Sequence, residues 1–184
     1  MINWTCDHMA GSGHSLGKPS ITGIENDYAV GTVRRWLTRV LGTGLGTGYL
    51  KHAQGTAASA LFVLLWVLFV PKNRGAEWTV ALSLNAASVP LGAWGEKMWG
   101  EDPGRITVDE FAGQAIALAG LPSRKWPWLL LAFLLFRLFD VFKFPFTKRH
   151  IEPIPNGWGV TLDDTLAGVL AWIVLSLFRL SFRN

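Results

Sequence analysis

Apolar residues gather along this chain into five runs separated by short polar breaks. The first, residues 57–70, reads "AASALFVLLWVLFV" and stops at Pro71, Lys72, Asn73, Arg74 and Gly75. The second covers residues 78–94 and is softened by Asn85 and Pro90. The third (111–121) and fourth (128–139) are short and flank the turn "PSRKWP", and the fifth covers 166–182. Nowhere does apolar and polar alternation persist as a strand would require, and backbone inside lipid must be satisfied within helices or a closed barrel. The pattern therefore predicts an all-α protein: an integral membrane helical bundle of about four to five apolar helices, some short or re-entrant. A spanning helix needs about 20 apolar residues. The first, second and fifth runs reach or approach that length with their flanks, whereas the third and fourth suit a hairpin that dips into the bilayer or packs inside the bundle.

The flanks divide the chain into a polar N-terminal extension, residues 1–32, mobile or surface-lying, and a membrane-embedded domain, residues 33–184. The extension lacks a basic segment followed by an apolar core, so it does not read as a signal peptide. Its Cys6 is the chain's single cysteine, which excludes an internal disulfide, and His8 and His14 are too isolated to read as metal ligands. After it, "VRRWLTRVL" is amphipathic and suits a membrane surface. Composition agrees: half of the 184 residues are hydrophobic, and only 16% are charged, against roughly 25% in soluble domains. The net charge of +4 is scattered at the ends of apolar runs, as topology and anionic-lipid signals are. A nucleic-acid surface would need a continuous basic stripe. Trp78, Trp94, Trp99, Trp126 and Trp128 flank the runs and fit an interfacial aromatic belt.

Two segments look alike, "ITVDEFAGQAIAL" and "VTLDDTLAGVLAW". Read locally, Thr107-Val108-Asp109-Glu110 and Thr161-Leu162-Asp163-Asp164 are capping boxes, with the threonine capping a helix and the acid three residues later answering it. Read by parity, they share a membrane face. If the first run crosses and the second returns, Asp109 and Glu110 open the third run on the starting side. The fourth run comes back there ending in "FRLFDVFKF" with Asp140, and Asp163 and Asp164 open the fifth run on that side too. Arg137 and Lys143 lie three residues either side of Asp140 and share its helical face. Five carboxylates in one low-dielectric site would raise one another's pKa values, and a hard divalent cation relieves the repulsion. Oxygen-only ligands suit Mg²⁺, which binds through a few carboxylates, waters and substrate phosphate. The glycine-rich loop before the first run ends at Gly55 and Thr56 on the same face. There backbone N–H groups and the Thr56 and Ser59 hydroxyls could meet an anion, with Lys51 and His52 nearby. No Gly-Lys-Ser/Thr follows, so this is not a P-loop.

Four blocks in order, "GTGYLKHAQGTAAS", "EDPGRITVDEFAGQAIAL", "FRLFDVFKFPF" and "NGWGVTLDDTLAG", resemble the phosphatidylglycerophosphatase A family over residues 41–174. The resemblance implies a bacterial inner-membrane, Mg²⁺-dependent lipid phosphatase whose active site lies on the cytoplasmic face. It would remove the terminal phosphate of phosphatidylglycerophosphate to leave phosphatidylglycerol. It maps the acidic positions onto Asp109, Glu110, Asp140, Asp163 and Asp164, with Asp102 upstream, and the basic positions onto Arg137 and Lys143. Gln54, Ala58 and Phe144 depart from the family pattern. Arg34, Arg35, Arg39 and Lys51 before the first run agree with an inside N-terminal face, while Lys72 and Arg74 oppose it. The competing readings are a small membrane cation transporter or channel, whose acids would line a path through the depth of the bilayer, and a non-catalytic membrane assembly protein whose acids only cap helices.

Overall fold

The computed structural model describes residues 31–100, 103–142, 151 and 154–181. Residues 1–30 of the polar extension expected at 1–32 lie outside the described residues, as do Asp102 and Lys143. Every regular element among the described residues is helical. A short basic helix, α1 (Thr32–Leu37), continues into a π turn at Thr38–Gly42, and a 3₁₀ turn follows at Thr47–Tyr49. Then come α2 (Gln54–Phe69), α3 (Arg74–Trp99), α4 (Val108–Leu118), α5 (Trp126–Val141) and α6 (Trp158–Ser181).

The third apolar run becomes the centre of the molecule. α4 buries ten of its eleven residues, all but Glu110, and packs against α6, α3, α2 and α5. At 1.5 Å per residue it is about 16 Å long, too short to span a bilayer. It packs inside the bundle because it has small or apolar side chains on every face, from Ala112 and Gly113 to Ala117. Around it Phe62 and Trp66 of α2, Phe111, Ile116 and Leu118 of α4, and Leu175 of α6 form one core.

Asn85, which softened the second run, does not interrupt it. Its amide donates to Ala112 O of α4 (3.0 Å) and to Ala81 O, and its oxygen accepts from the Thr165 hydroxyl of α6. One half-buried amide thus joins three helices, which is how a polar group is tolerated between them. Pro90 also sits within α3 without ending it.

Only α6, at 24 residues, is both long and apolar enough among the described residues to cross a membrane. The first run gives α2, apolar but 16 residues long, and the second gives a 26-residue helix of more mixed character. Large apolar side chains nevertheless face outward along several helices. Leu130, Leu134 and Leu138 make an exposed stripe at four-residue spacing on α5, and Leu64, Leu68 and Leu177 are exposed on α2 and α6. Of the tryptophans expected in a belt, Trp126 is exposed, whereas Trp78 packs edge-on against Trp172.

Candidate active site

Three helix ends bring carboxylates together at one end of the bundle. Glu110 comes from the first turn of α4, Asp140 from the last turn of α5, and Asp164 from the second turn of α6. Each offers an oxygen within 4.8 Å of the others. Asp140 and Asp164 are buried and Glu110 is nearly so. Arg137 reaches across this group, its Nη1 contacting Glu110 Oε2 and lying 2.8 Å from Asp140 Oδ2. Two of the three acids therefore share one guanidinium, with Asp164 close by.

Burial, and then the charge of Asp140, raise the Glu110 carboxyl to about 7, with Arg137 and Ser59 pulling the other way. Burial, and next the charge of Glu110, hold the Asp109 carboxyl well above its usual range. Asp109 lies beside the group without belonging to it, and its Oδ1 accepts the Glu110 N–H at 2.9 Å. Asp163 is buried next to Asp164 and is likewise outside the close set. Consecutive helical residues point about 100° apart, so each acidic pair sends one member into the site and the other beside it.

Neither acidic segment is a capping box. Thr107 stands at the N-cap of α4 but its side chain makes no cap bond; its hydroxyl meets that of Thr47 at 3.0 Å. The α6 helix begins at Trp158, so Thr161 lies inside it, hydrogen-bonded to Ser88 Oγ at 2.9 Å. Glu110 turns toward Arg137 instead of back to its own helix start. Tertiary partners have outcompeted the local ones.

A site of this kind fits a hard divalent cation. The donors are all carboxylate oxygens, they are desolvated, and the one guanidinium cannot balance them. The first turn of α2 borders the group, since a Cβ added at Gly55 would overlap Glu110 Oε1 and press on Arg137. Only a glycine there lets a carboxylate lie against the positive end of a helix.

The model of the family described as phosphatidylglycerophosphatase A matches residues 40–179. The chain belongs to that family. A Haemophilus influenzae phosphatidylglycerophosphatase A is 37% identical over 142 residues, covering 74% of this chain and 85% of that protein. The Escherichia coli phosphatidylglycerophosphatase A is 29% identical over 140 residues, 72% of this chain and 77% of its own. A Bacteroides thetaiotaomicron protein with the provisional name phosphatidylinositol-3-phosphatase is 38% identical over 152 residues, 78% of this chain and 94% of that protein. No solved structure matches at a significant level.

The phosphatidylglycerophosphatase A motifs now acquire physical roles beyond their acids. A Cβ at Gly113 would collide with the Asp164 carbonyl, and one at Gly168 with the Gly113 carbonyl. These two glycines let α4 and α6 cross backbone to backbone, as small residues do in membrane bundles, and the crossing carries Glu110 to Asp164. The glycine-rich loop before α2 supports the start of α4: Gly42 O accepts the Thr107 N–H at 2.9 Å. Of the proposed anion-facing residues, Ser59 is buried behind Glu110, donating to Gly55 O at 2.9 Å and lying 3.4 Å from Glu110 Oε2. Thr56 and Lys51 are exposed, and among the described contacts neither reaches the carboxylates. Sequence reasoning missed Glu96, whose two oxygens accept the N–H groups of Asn156 (3.0 Å) and Gly157 (2.9 Å) and so fix the entry to α6. A single glutamate among glycines and tryptophans gave no pattern to find it by.

Proposed function

We propose that this chain is a phosphatidylglycerophosphatase. It hydrolyses the terminal phosphomonoester of phosphatidylglycerophosphate at the cytoplasmic edge of a bacterial inner membrane, using Mg²⁺. The observation that carries this reading is the convergence of Glu110, Asp140 and Asp164 at one end of the bundle, beside the first turn of α2. Against the channel alternative, these acids meet at helix ends and do not line a path through the bundle. Against the assembly alternative, they have left the helix-capping role.

Glu110, Asp140 and Asp164 would hold the ion, with Asp109, Asp163 and Asp102 supporting them. When bound, it supplies charge stabilisation for phosphoryl oxygens and a lowered pKa for water. The protein's own part is chiefly positioning. Arg137 and Lys143 orient the phosphate, the open N–H groups in the first turn of α2 favour its negative charge, and Lys51 and Thr56 stand at the mouth. Net hydrolysis breaks the ester P–O bond to glycerol; water supplies the hydroxyl to phosphorus and the proton to the leaving oxygen. The acyl chains stay in lipid against the exposed leucine stripe of α5, and α6 anchors the bundle across the membrane.

Phosphate release from purified protein in detergent tests this. Release from phosphatidylglycerophosphate with Mg²⁺, its loss with chelator, and much weaker release from soluble glycerol 3-phosphate are expected. Phosphatidylinositol 3-phosphate belongs in the same assay because of the Bacteroides relative's name. Absence of metal-dependent release from phosphatidylglycerophosphate would refute the reading.

A further inference from the structure

The end of the bundle away from the carboxylates holds a second charged region that phosphate hydrolysis does not use. The turn after α2, the turn after α4 and the starts of α3 and α5 surround a cavity of about 480 Å³, lined among others by Lys72, Arg74, Glu77, Ser123, Arg124 and Lys125. Its floor is closed. Arg124 donates from Nε and Nη2 to Glu77 Oε1 (3.1 and 2.7 Å), from Nη1 to Val70 O (2.6 Å), and from Nη2 also to Pro71 O (2.9 Å). Glu77 Oε2 accepts the Gly120 N–H at 3.0 Å. The floor is thus neutral and its hydrogen-bonding capacity is largely used.

The rim differs. Lys72, Arg74 and Lys125 are exposed, and none of them pairs with a carboxylate among the described residues. The N-terminus of α5, which has no side-chain cap, lies at the same place and adds to the positive potential, while that of α3 is capped by Asn73 Oδ1. Three uncompensated cations over a cavity call for an anion.

Position identifies which anion. α2 runs from the carboxylate cluster at Gly55 to Phe69 beside this cavity, about 22 Å at 1.5 Å per residue. That approaches the ~30 Å thickness of a bilayer's hydrocarbon core, so the cavity lies near the headgroups of the opposite leaflet. Its flanks carry exposed Leu68, Phe69 and Trp126, apolar groups suited to acyl chains. We propose that this cavity binds the phosphate of an anionic phospholipid belonging to the leaflet opposite the one that supplies substrate. The inference rests on the membrane-embedded reading above, and it assigns the basic residues that a simple positive-inside count leaves on the wrong face. A free phosphate ion would meet the same cations but nothing apolar, so the flanks commit the site to a lipid.

Native mass spectrometry of the detergent-purified chain, titrated with phosphatidylglycerol or phosphatidylcholine, tests it. The triple variant Lys72→Ala, Arg74→Ala, Lys125→Ala should lose about a hundredfold in phosphatidylglycerol retention, at roughly a factor of five per cationic side chain. Asp164→Asn should retain the lipid, which separates this site from product held at the carboxylates. A double variant, Lys72→Arg with Lys125→Arg, should also retain it. An unfolding temperature in detergent equal to that of the unaltered chain should show that the triple variant folds, and it keeps this outcome independent of the proposed activity. Equal retention by the triple variant, equal retention of phosphatidylcholine, or complete displacement by millimolar inorganic phosphate would each overturn the proposal. Should the triple variant prove unstable, Lys72→Gln with Lys125→Gln gives the same comparison at two exposed positions, with about a 25-fold loss expected on the same scale and no loss overturning it.

Discussion

Arg124 and Arg137 are both largely buried, with side chains 9% and 15% exposed, and both hold carboxylates near helix ends. At Arg124 one guanidinium meets one carboxylate, and its remaining donors reach the carbonyls of Trp66, Val70 and Pro71 at the end of α2. Charge and hydrogen bonds close on themselves there, and Trp66 stacks beneath the guanidinium at 5.6 Å. At Arg137 one guanidinium serves Glu110 and Asp140 with Asp164 close by, and its Nε is buried without a hydrogen-bond partner. The first arrangement is complete as it stands. The second carries excess negative charge in a desolvated place, which is costly unless something else binds. A balanced buried pair is a clasp, and an unbalanced one is a site.

The sharpest way to break this contrast is to remove the clasp. Arg124→Met should cost about 3–5 kcal/mol of stability, the scale for orphaning a buried partner, read as a lower unfolding temperature in detergent. Turnover per folded molecule should hold, because the change lies at the other end of the bundle. Asp164→Asn should do the reverse. Phosphate release should fall about 10²–10³-fold, as for loss of one transition-state-stabilising group, while the metal-free protein becomes more stable because one repelling charge is gone. If Asp164→Asn destabilised the protein and spared turnover, the two ends would be alike and the contrast would fail.

The smallest effect is in pH. Glu110 holds its proton to about pH 7 in the folded chain, against an ordinary value of 4.5, and must lose it to ligate an ion. Apparent Mg²⁺ affinity measured by calorimetry should therefore climb as pH rises through about 7. For the metal-free protein the sign is opposite. Between pH 4.5 and 7 the folded state keeps a proton that the unfolded state has lost, so this residue's contribution to stability declines as pH rises through that window.

Much of the fold was legible in the hydrophobic runs, because each became a helix with ends moved by at most five residues, except that α6 starts eight residues before the fifth run. Run 111–121 became α4 and run 128–139 became α5. Burial was less legible. An eleven-residue segment with alanines and glycine on every side could have been a re-entrant piece or a central one, and only its neighbours made it central. Within the candidate site, the acidic doublets and Asp140 stood out because charge is rare in apolar surroundings. Their division into Glu110, Asp140 and Asp164 inside the close set and Asp109 and Asp163 beside it had no counterpart in spacing. Glu96 and Asn85 were invisible for the same reason, since their partners lie 60 and 27 residues away.

The sequence by itself determined that this chain is helical, that its acids stand at helix ends, and that the chain's reversals can return those ends to one side. These follow from local propensity and from the parity of a chain that must reverse at each break. Only the tertiary structure decided that Thr107 and Thr161 abandon capping, that Gly113 and Gly168 bring two backbones together, and that Arg137 is shared while Arg124 is not. Such outcomes depend on competition between local hydrogen bonds and partners supplied by distant segments, and that competition is resolved only when the helices pack.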